Sequence, residues 1–407
     1  MSTSTLQVAS GVRRKERMPV FDVLRAAAAI LVFLYHYNSF AGPATSGIAF
    51  IEEGEWLILR LGSLGTNLLL LLSGYFVAHN LASRRFTYPH FVLLRLIRIY
   101  IPYALVLFLV VVWAMVAPGE SRVRWSDWSW ALFGQQLLLW PGLFPEKPVL
   151  TVAWTLSYIV AGYVVLPPIV IWLQKVEATE RQRIMTWAGV VGITFLFAAE
   201  GHIATRATYI PMGCLIYEAQ VLAMKERSPF LYWQAITLGA IALVVRVMLD
   251  GQLVRIEAGD LFRGAYMGSG LVTVSAVLTS GLLLQHRHML IEHTAWLGPV
   301  AKFGRTGYSF YLLHGPVVKV AAHLLFPWMA LRQFPAAAYW LAMPAVFGIA
   351  AFAAFVLYQF VEVPCRSLLI NSAELDAQSE GKAVAVRKPR EADRAMAPTG
   401  PVADLPR

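Results

Sequence analysis

Residues 20–41 read VFDVLRAAAAILVFLYHYNSFA. As an α-helix rising about 1.5 Å per residue, this stretch is long enough to cross roughly 30 Å of hydrocarbon. No water pairs with the backbone inside a bilayer, so a helix, which bonds its own amides and carbonyls, is the form such a run takes. It is not the core of a cleavable signal: a polar leader of 19 residues precedes it, and Asp22 and Arg25 lie within it.

Apolar runs recur near residues 57–78, 99–117, 150–173, 185–200, 207–224, 231–249, 264–284, 307–326 and 336–361. With the first they make about ten spans. The expected fold class is therefore all-α, a polytopic integral membrane helical bundle. The stretch 125–144 carries Trp125, Trp128, Trp130 and Trp140; tryptophan favours the headgroup level, so this segment is expected at the interface. Composition agrees. The chain of 407 residues is 58% hydrophobic and 14% charged, against about 25% charged in soluble domains. Its net charge of +10 is spread over short segments between apolar runs. That pattern orients membrane helices and argues for the lipid bilayer, not nucleic acid, as the partner. Two cysteines, Cys214 and Cys365, exclude a disulfide framework and a cysteine metal cluster, and they read as small apolar fillers.

The basic residues give the orientation. Arg13, Arg14, Lys15 and Arg17 precede the first run, and Arg84, Arg85, Arg95 and Arg98 follow the second. Lys175, Arg181 and Arg183 follow the fourth, Lys225 and Arg227 the sixth, and Arg287, Lys302 and Arg305 the eighth. All fall on the side of the N-terminus, which puts both termini in the cytoplasm. The expected organisation is a cytoplasmic leader over 1–19, a transmembrane domain over 20–368 and a tail over 369–407. The tail is rich in Ala, Glu, Lys, Arg and Pro without an apolar period, which predicts disorder.

Within the first run Arg25 and His36 stand eleven positions apart. On a helix that spacing puts both within about 20° of one face, roughly 16 Å apart along the axis. An arginine inside a span costs about 2.5–3.5 kcal/mol, so such groups usually face a cavity or a partner. Two readings of each residue are open: Arg25 snorkels to the headgroups or serves a site, and His36 bonds a neighbouring helix or serves the same site. His314 follows Tyr311 on one face of GRTGYSFYLLHGPVV, where a hydrogen-bonded core histidine is an equal reading. Arg95 and Arg98 lie one turn apart and read first as cytoplasmic anchors. Glu362, with Arg366 four residues on, reads as half of an ion pair.

These residues fall into blocks. Arg25 to His36 encloses ten residues, Gly65-Thr66-Asn67 leads into LLSGYFV with Ser73 and Gly74, and Arg95, Arg98, Tyr100 and Pro102 form a basic block. GYSFYLLHGP and then Tyr358, Glu362, Pro364 and Arg366 close the series. In this order and at these positions the chain resembles the acyltransferase type 3 family over roughly residues 18–368. One block departs. Where the family reads WSLSxExxFY, this chain reads WTLSYIVAGY: Trp154, Ser157 and Tyr163 match, and Ile159 stands in place of the glutamate.

The resemblance implies an O-acetyltransferase of the bacterial inner membrane. It would move an acyl group, acetyl by expectation, from acetyl-CoA or another cytoplasmic acyl-CoA to a hydroxyl of a carbohydrate acceptor, with no bound cofactor and no metal. The implied roles are catalysis for His36 and Arg25 and donor binding for Arg95 and Arg98. Ser73, Trp154, Ser157, Tyr311, His314 and Glu362 are further site candidates. A histidine with an unperturbed pKa near 6.5 suits general-base removal of the acceptor proton; a covalent acyl-histidine relay is the second route. The rival reading is a transporter or flippase without acyl chemistry, because buried charges also line substrate paths. Exopolysaccharide, lipopolysaccharide, a signalling oligosaccharide and a macrolide are all compatible acceptors.

Overall fold

A computed structural model of the chain describes residues 19–41, 49–82, 87–116, 129–144, 148–197, 204–226, 297–325, 335–365 and 367. The expected spans 231–249 and 264–284, the leader up to 18 and the tail from 369 lie outside the described residues. Among the described residues the architecture is all-helical, without a β-strand. The elements are α1 (Pro19–Ala41), α2 (Ala49–Ala82), α3 (Tyr88–Val116), α4 (Trp130–Leu137), α5 (Ala153–Lys175) and α6 (Glu180–Phe197). After them come α7 (Ala204–Ala207), α8 (Tyr209–Glu226), α9 (Gly298–Arg305), α10 (Gly307–Leu324) and α11 (Pro335–Leu357). The last continues through a π-helical turn, Tyr358–Glu362.

Four stretches among the described residues are long and apolar enough to cross a membrane: Phe21–Phe40, Tyr88–Val116, Ala153–Lys175 and Tyr339–Cys365. Large apolar side chains are exposed on their outward faces. On α3, Ile101, Leu105, Phe108, Leu109, Val112 and Met115 are exposed, and on α11 Leu341, Ile349, Phe352 and Phe355. In water such faces would be association surfaces; against acyl chains they carry no penalty.

The helices meet where side chains are smallest. α1 packs along α2, α9 and α10, and α2 continues onto α5 and α8. A Cβ on Gly74 would collide with the Ile210 backbone of α8, and one on Gly213 with the Leu71 carbonyl of α2. Close backbone approach at small residues is how helices associate where lipid is as apolar as leucine. Gly304 of α9 meets the Asp22 backbone of α1 in the same way.

Two interruptions shape the interior. Pro102 in α3 has no amide hydrogen and loosens the preceding turn; one helix away, the Tyr308 hydroxyl donates to the Ile99 carbonyl at 2.7 Å. The second is the segment before α5. Of the segment expected at the interface, 125–144, the structure describes residues from 129 on: Trp130 is 89% exposed, whereas Gln136 and Leu139 are buried. The reason is polar. The Tyr103 hydroxyl donates to the Gln136 backbone carbonyl at 2.7 Å, and the Gln136 side-chain oxygen accepts from the Val149 amide at 3.0 Å. These bonds fold the segment back against α3 and α5.

Candidate functional site

Helices α1, α2, α3, α5, α9 and α10 converge on a cavity of about 140 Å³. Among the described residues its lining holds Arg25, Arg95 and Arg98 together with Arg305, and no carboxylate. Ser73, Thr155, Ile159, Tyr163, Tyr308 and Tyr311 complete its wall. Three arginines from two separated sequence blocks thus share one space, and a fourth joins them.

Each guanidinium is held differently. Arg25 donates to Asp22 at 2.7 Å, one turn back on α1, and lies 4.6 Å from the centre of the Phe76 ring. Its guanidinium lies against the α2 side chain Phe76. Asp22 also stands 3.9 Å from Arg305. Arg98 donates to Glu362 at 3.0 Å, whose other oxygen accepts from Ser309 at 3.1 Å. The π-helical turn carries Glu362 there, 3% exposed; single π turns recur where a side chain must be re-aimed at a site. Arg95 lies 5.3 Å from the ring centres of both Phe91 and Tyr163, a placement that uses the negative ring face.

A run of polar side chains leads away from the cavity along α10. Tyr311 and Thr155 share a hydrogen bond between hydroxyls at 2.5 Å. The Tyr311 ring is 5.7 Å from His314, and His314 is 5.1 Å from His36, centre to centre. Gly307 and His314 of α10 therefore face Arg25 and His36 of α1 respectively. The Cβ of Arg25 and the ring of His36, eleven residues apart, both lie beside α10.

A family model described as an acyltransferase domain matches residues 19–359. The chain belongs to the acyltransferase type 3 family. No curated protein and no solved structure matches the chain. The matched range runs from the start of α1 into the π-helical turn, so it takes in every element that lines the cavity.

Set against the family's blocks, the candidates separate. Arg25, Arg95, Arg98, Ser73 and Tyr311 reach the cavity, and Ile159 lines it where the family places a glutamate. Ser157 does not line it. Its hydroxyl donates to the Pro141 and Ala153 carbonyls and ties the folded-back segment to α5. Trp154 also points elsewhere, 5.1 Å from the Arg206 guanidinium and 6.2 Å from Tyr158. Glu362 pairs with Arg98; Arg366, expected as its partner, lies outside the described residues. Sequence reasoning did not single out Asp22, Thr155, Tyr308 or Arg305 as site residues. Arg305, Tyr308 and Tyr311 recur at every third position, and that periodicity was the available signal for a shared face. Among the described residues no group of three or more His, Cys, Asp or Glu side chains is arranged to hold a metal ion.

Proposed function

We propose that this family member is an O-acyltransferase of the bacterial inner membrane. It has about ten spans over residues 20–368, both termini in the cytoplasm and a tail from 369. It moves an acyl group, acetyl in our reading, from a cytoplasmic acyl-CoA to a hydroxyl of a carbohydrate such as an exopolysaccharide, lipopolysaccharide or oligosaccharide. One observation carries the reading. Arg25, Arg95 and Arg98 line a single cavity with Arg305, and polar side chains connect that cavity to His36.

An acyl-CoA is a polyanion at one end and a thioester at the other. Guanidiniums bind phosphate oxygens with two parallel N–H bonds in a fixed plane, and four of them around one space suit that end. Arg25 and Arg95 lie near the N-terminal ends of α1 and α3, which the distribution of basic residues places toward the cytoplasm. His36 lies farther along α1. There it takes the proton of the acceptor hydroxyl as its oxygen attacks the acyl carbon: a C–O bond forms, the C–S bond breaks, and the proton passes to the departing thiolate. General-base help of this kind is worth about 10²–10⁴-fold.

The deciding comparison is the acetyl content of surface glycans from cells with wild-type protein, without it, and with His36→Asn at equal abundance. Asparagine keeps a donor and an acceptor but is no base near neutral pH. Loss of the ester in the second and third strains is the expected result. Wild-type ester with His36→Asn would remove His36 from the chemistry. Substrate movement that persists without any acyl donor would favour the transporter reading.

A further inference from the structure

Another cavity, of about 480 Å³, lies between α3, α10, α11 and the segment just before α5. Ordinary ligand sites enclose roughly 300–1,000 Å³. Its wall is mostly apolar: Leu109 and Val110 of α3, Leu313, Val320 and Leu324 of α10, and Ile349 of α11. On α10 the lining runs from Leu313 to Leu325, about 18 Å along the axis. That exceeds one leaflet's half of roughly 30 Å of hydrocarbon, a length that suits a chain better than a ring. Thr151 and Lys319 also line the cavity, and so does Trp113, whose Nε1–H is buried without a hydrogen-bond partner. A buried donor in that state calls for an explanation. The Trp113 ring stands 5.9 Å from His323, one turn after Lys319 on α10, so indole and ammonium lie within about a turn of each other. Among the described residues no carboxylate lines this cavity.

Resting on the reading of this chain as a glycan acyltransferase, we propose that this cavity seats the hydrocarbon chain of a lipid-linked glycan, the acceptor. The lipid's phosphate is held at the polar end. Trp113 Nε1–H donates to one of its oxygens, and the Lys319 charge attracts it through apolar surroundings, where Coulomb forces reach far. A plain hydrocarbon would leave the indole donor unpaired and would meet a cation; an anionic lipid matches both. The place fits the chemistry. The Lys319 ammonium is 5.9 Å from the Phe40 ring centre, and Phe40 follows His36 by one turn of α1. Leu313 of the wall adjoins His314, whose ring centre is 5.1 Å from that of His36. Trp113 and Lys319 stand in the C-terminal halves of α3 and α10, whereas Arg25 and Arg95 lie near the N-terminal ends of α1 and α3. Donor and acceptor thus reach His36 from opposite leaflets.

The test has a binding arm and a kinetic arm, both on the full chain in proteoliposomes. The binding probe is a long-chain alkyl phosphate carrying a diazirine. It is expected to label the peptides spanning Val106–Trp113 and Leu313–Leu324, suppressed by excess unmodified alkyl phosphate and not by phosphatidylcholine. Equal suppression by phosphatidylcholine would place an ordinary bilayer lipid in the cavity and overturn the proposal. Trp113→Phe keeps a ring but loses the donor, and should weaken the labelling; undiminished labelling would overturn the phosphate contact. The kinetic arm follows label from acetyl-CoA into two acceptors taken from producing cells. One is the lipid-linked glycan, the other the same glycan cut from its lipid phosphate by mild acid. Val320→Trp fills the cavity from α10 and is expected to raise the KM for the lipid-linked glycan on the order of tenfold. The acetyl-CoA KM and the slower reaction of the released glycan should not change. Should Val320→Trp fail to fold, Leu109→Trp fills the cavity from an exposed position on α3. An unchanged lipid-linked KM in the folded variant, or equal kcat/KM for the two acceptors in the wild type, would overturn the proposal. A wild type that takes up the alkyl phosphate but acylates neither acceptor would instead overturn the function on which it rests, so the two failures are distinguishable.

Discussion

Arg25 and Arg98 are held by carboxylates of different kinds, and their substitutions should differ accordingly. Asp22 is a neighbour on the same helix as Arg25, so Arg25→Lys keeps an ion pair within reach. A lysine nevertheless loses the planar fork that reads phosphate. The expected outcome is normal abundance with a raised donor KM, measured with labelled acetyl-CoA. Glu362 is 3% exposed and accepts from both Arg98 and Ser309. Glu362→Gln keeps the shape but removes the charge from the Arg98 bond. A hydrogen bond to a charged group contributes about 1.5–3 kcal/mol. Arg98 is itself 43% exposed, so solvent recovers part of the loss and the lower end applies; thermal unfolding in detergent measures it. Ile159 supplies a third case. Ile159→Glu places a carboxylate among the cavity's four arginines, where it competes with an anionic donor. A raised acetyl-CoA KM is expected, and an unchanged KM would show that these arginines do not hold the phosphates.

At the scale of elements, the α2–α8 crossing depends on two missing methyl groups. A side chain on Gly74 would meet the Ile210 backbone, which cannot move without shifting α8. Gly74→Val should therefore cost about 3 kcal/mol or more, the upper range for overpacking. Folded yield by size exclusion in detergent is the readout. Gly348→Ala on α11 is the control: nothing lies within 4 Å of the added carbon, and the yield should not change. Since α2 also contributes Ser73 and Phe76 to the cavity, a partly tolerated Gly74→Ala should raise donor KM while kcat per folded molecule is retained.

For the whole molecule the open quantity is the path through the bilayer. Reporter fusions after Ile48, Arg255 and Arg332 should report the outer side, and those after Arg85, Ala178 and Glu380 the cytoplasm, if basic segments orient the chain. A cytoplasmic signal after Arg255 would show that 185–200 or 207–224 does not cross.

The helical membrane class was legible from residues 20–41 and their repeats, because hydrocarbon leaves a long apolar backbone one way to pair its own polar groups. The common direction of Arg25 and His36 was equally legible, since it follows from the period of a single helix. Local rules served less well where the partner lies far away in sequence. Glu362 was read with Arg366, four residues on and outside the described residues; the partner that the structure describes, Arg98, stands 264 positions earlier. The Trp-rich stretch 125–144 was read from the interfacial preference of its rings, which says nothing of where Gln136 finds its hydrogen bonds. Arg305 was read only as an orienting charge; Gly304 against the Asp22 backbone brings it to the cavity. Sequence alone determined the helical class and which residues of one helix share a face, because both are set within one segment. Which faces meet was decided only by the tertiary structure, because it depends on backbone contacts at Gly74, Gly213 and Gly304 and on the turn that re-aims Glu362.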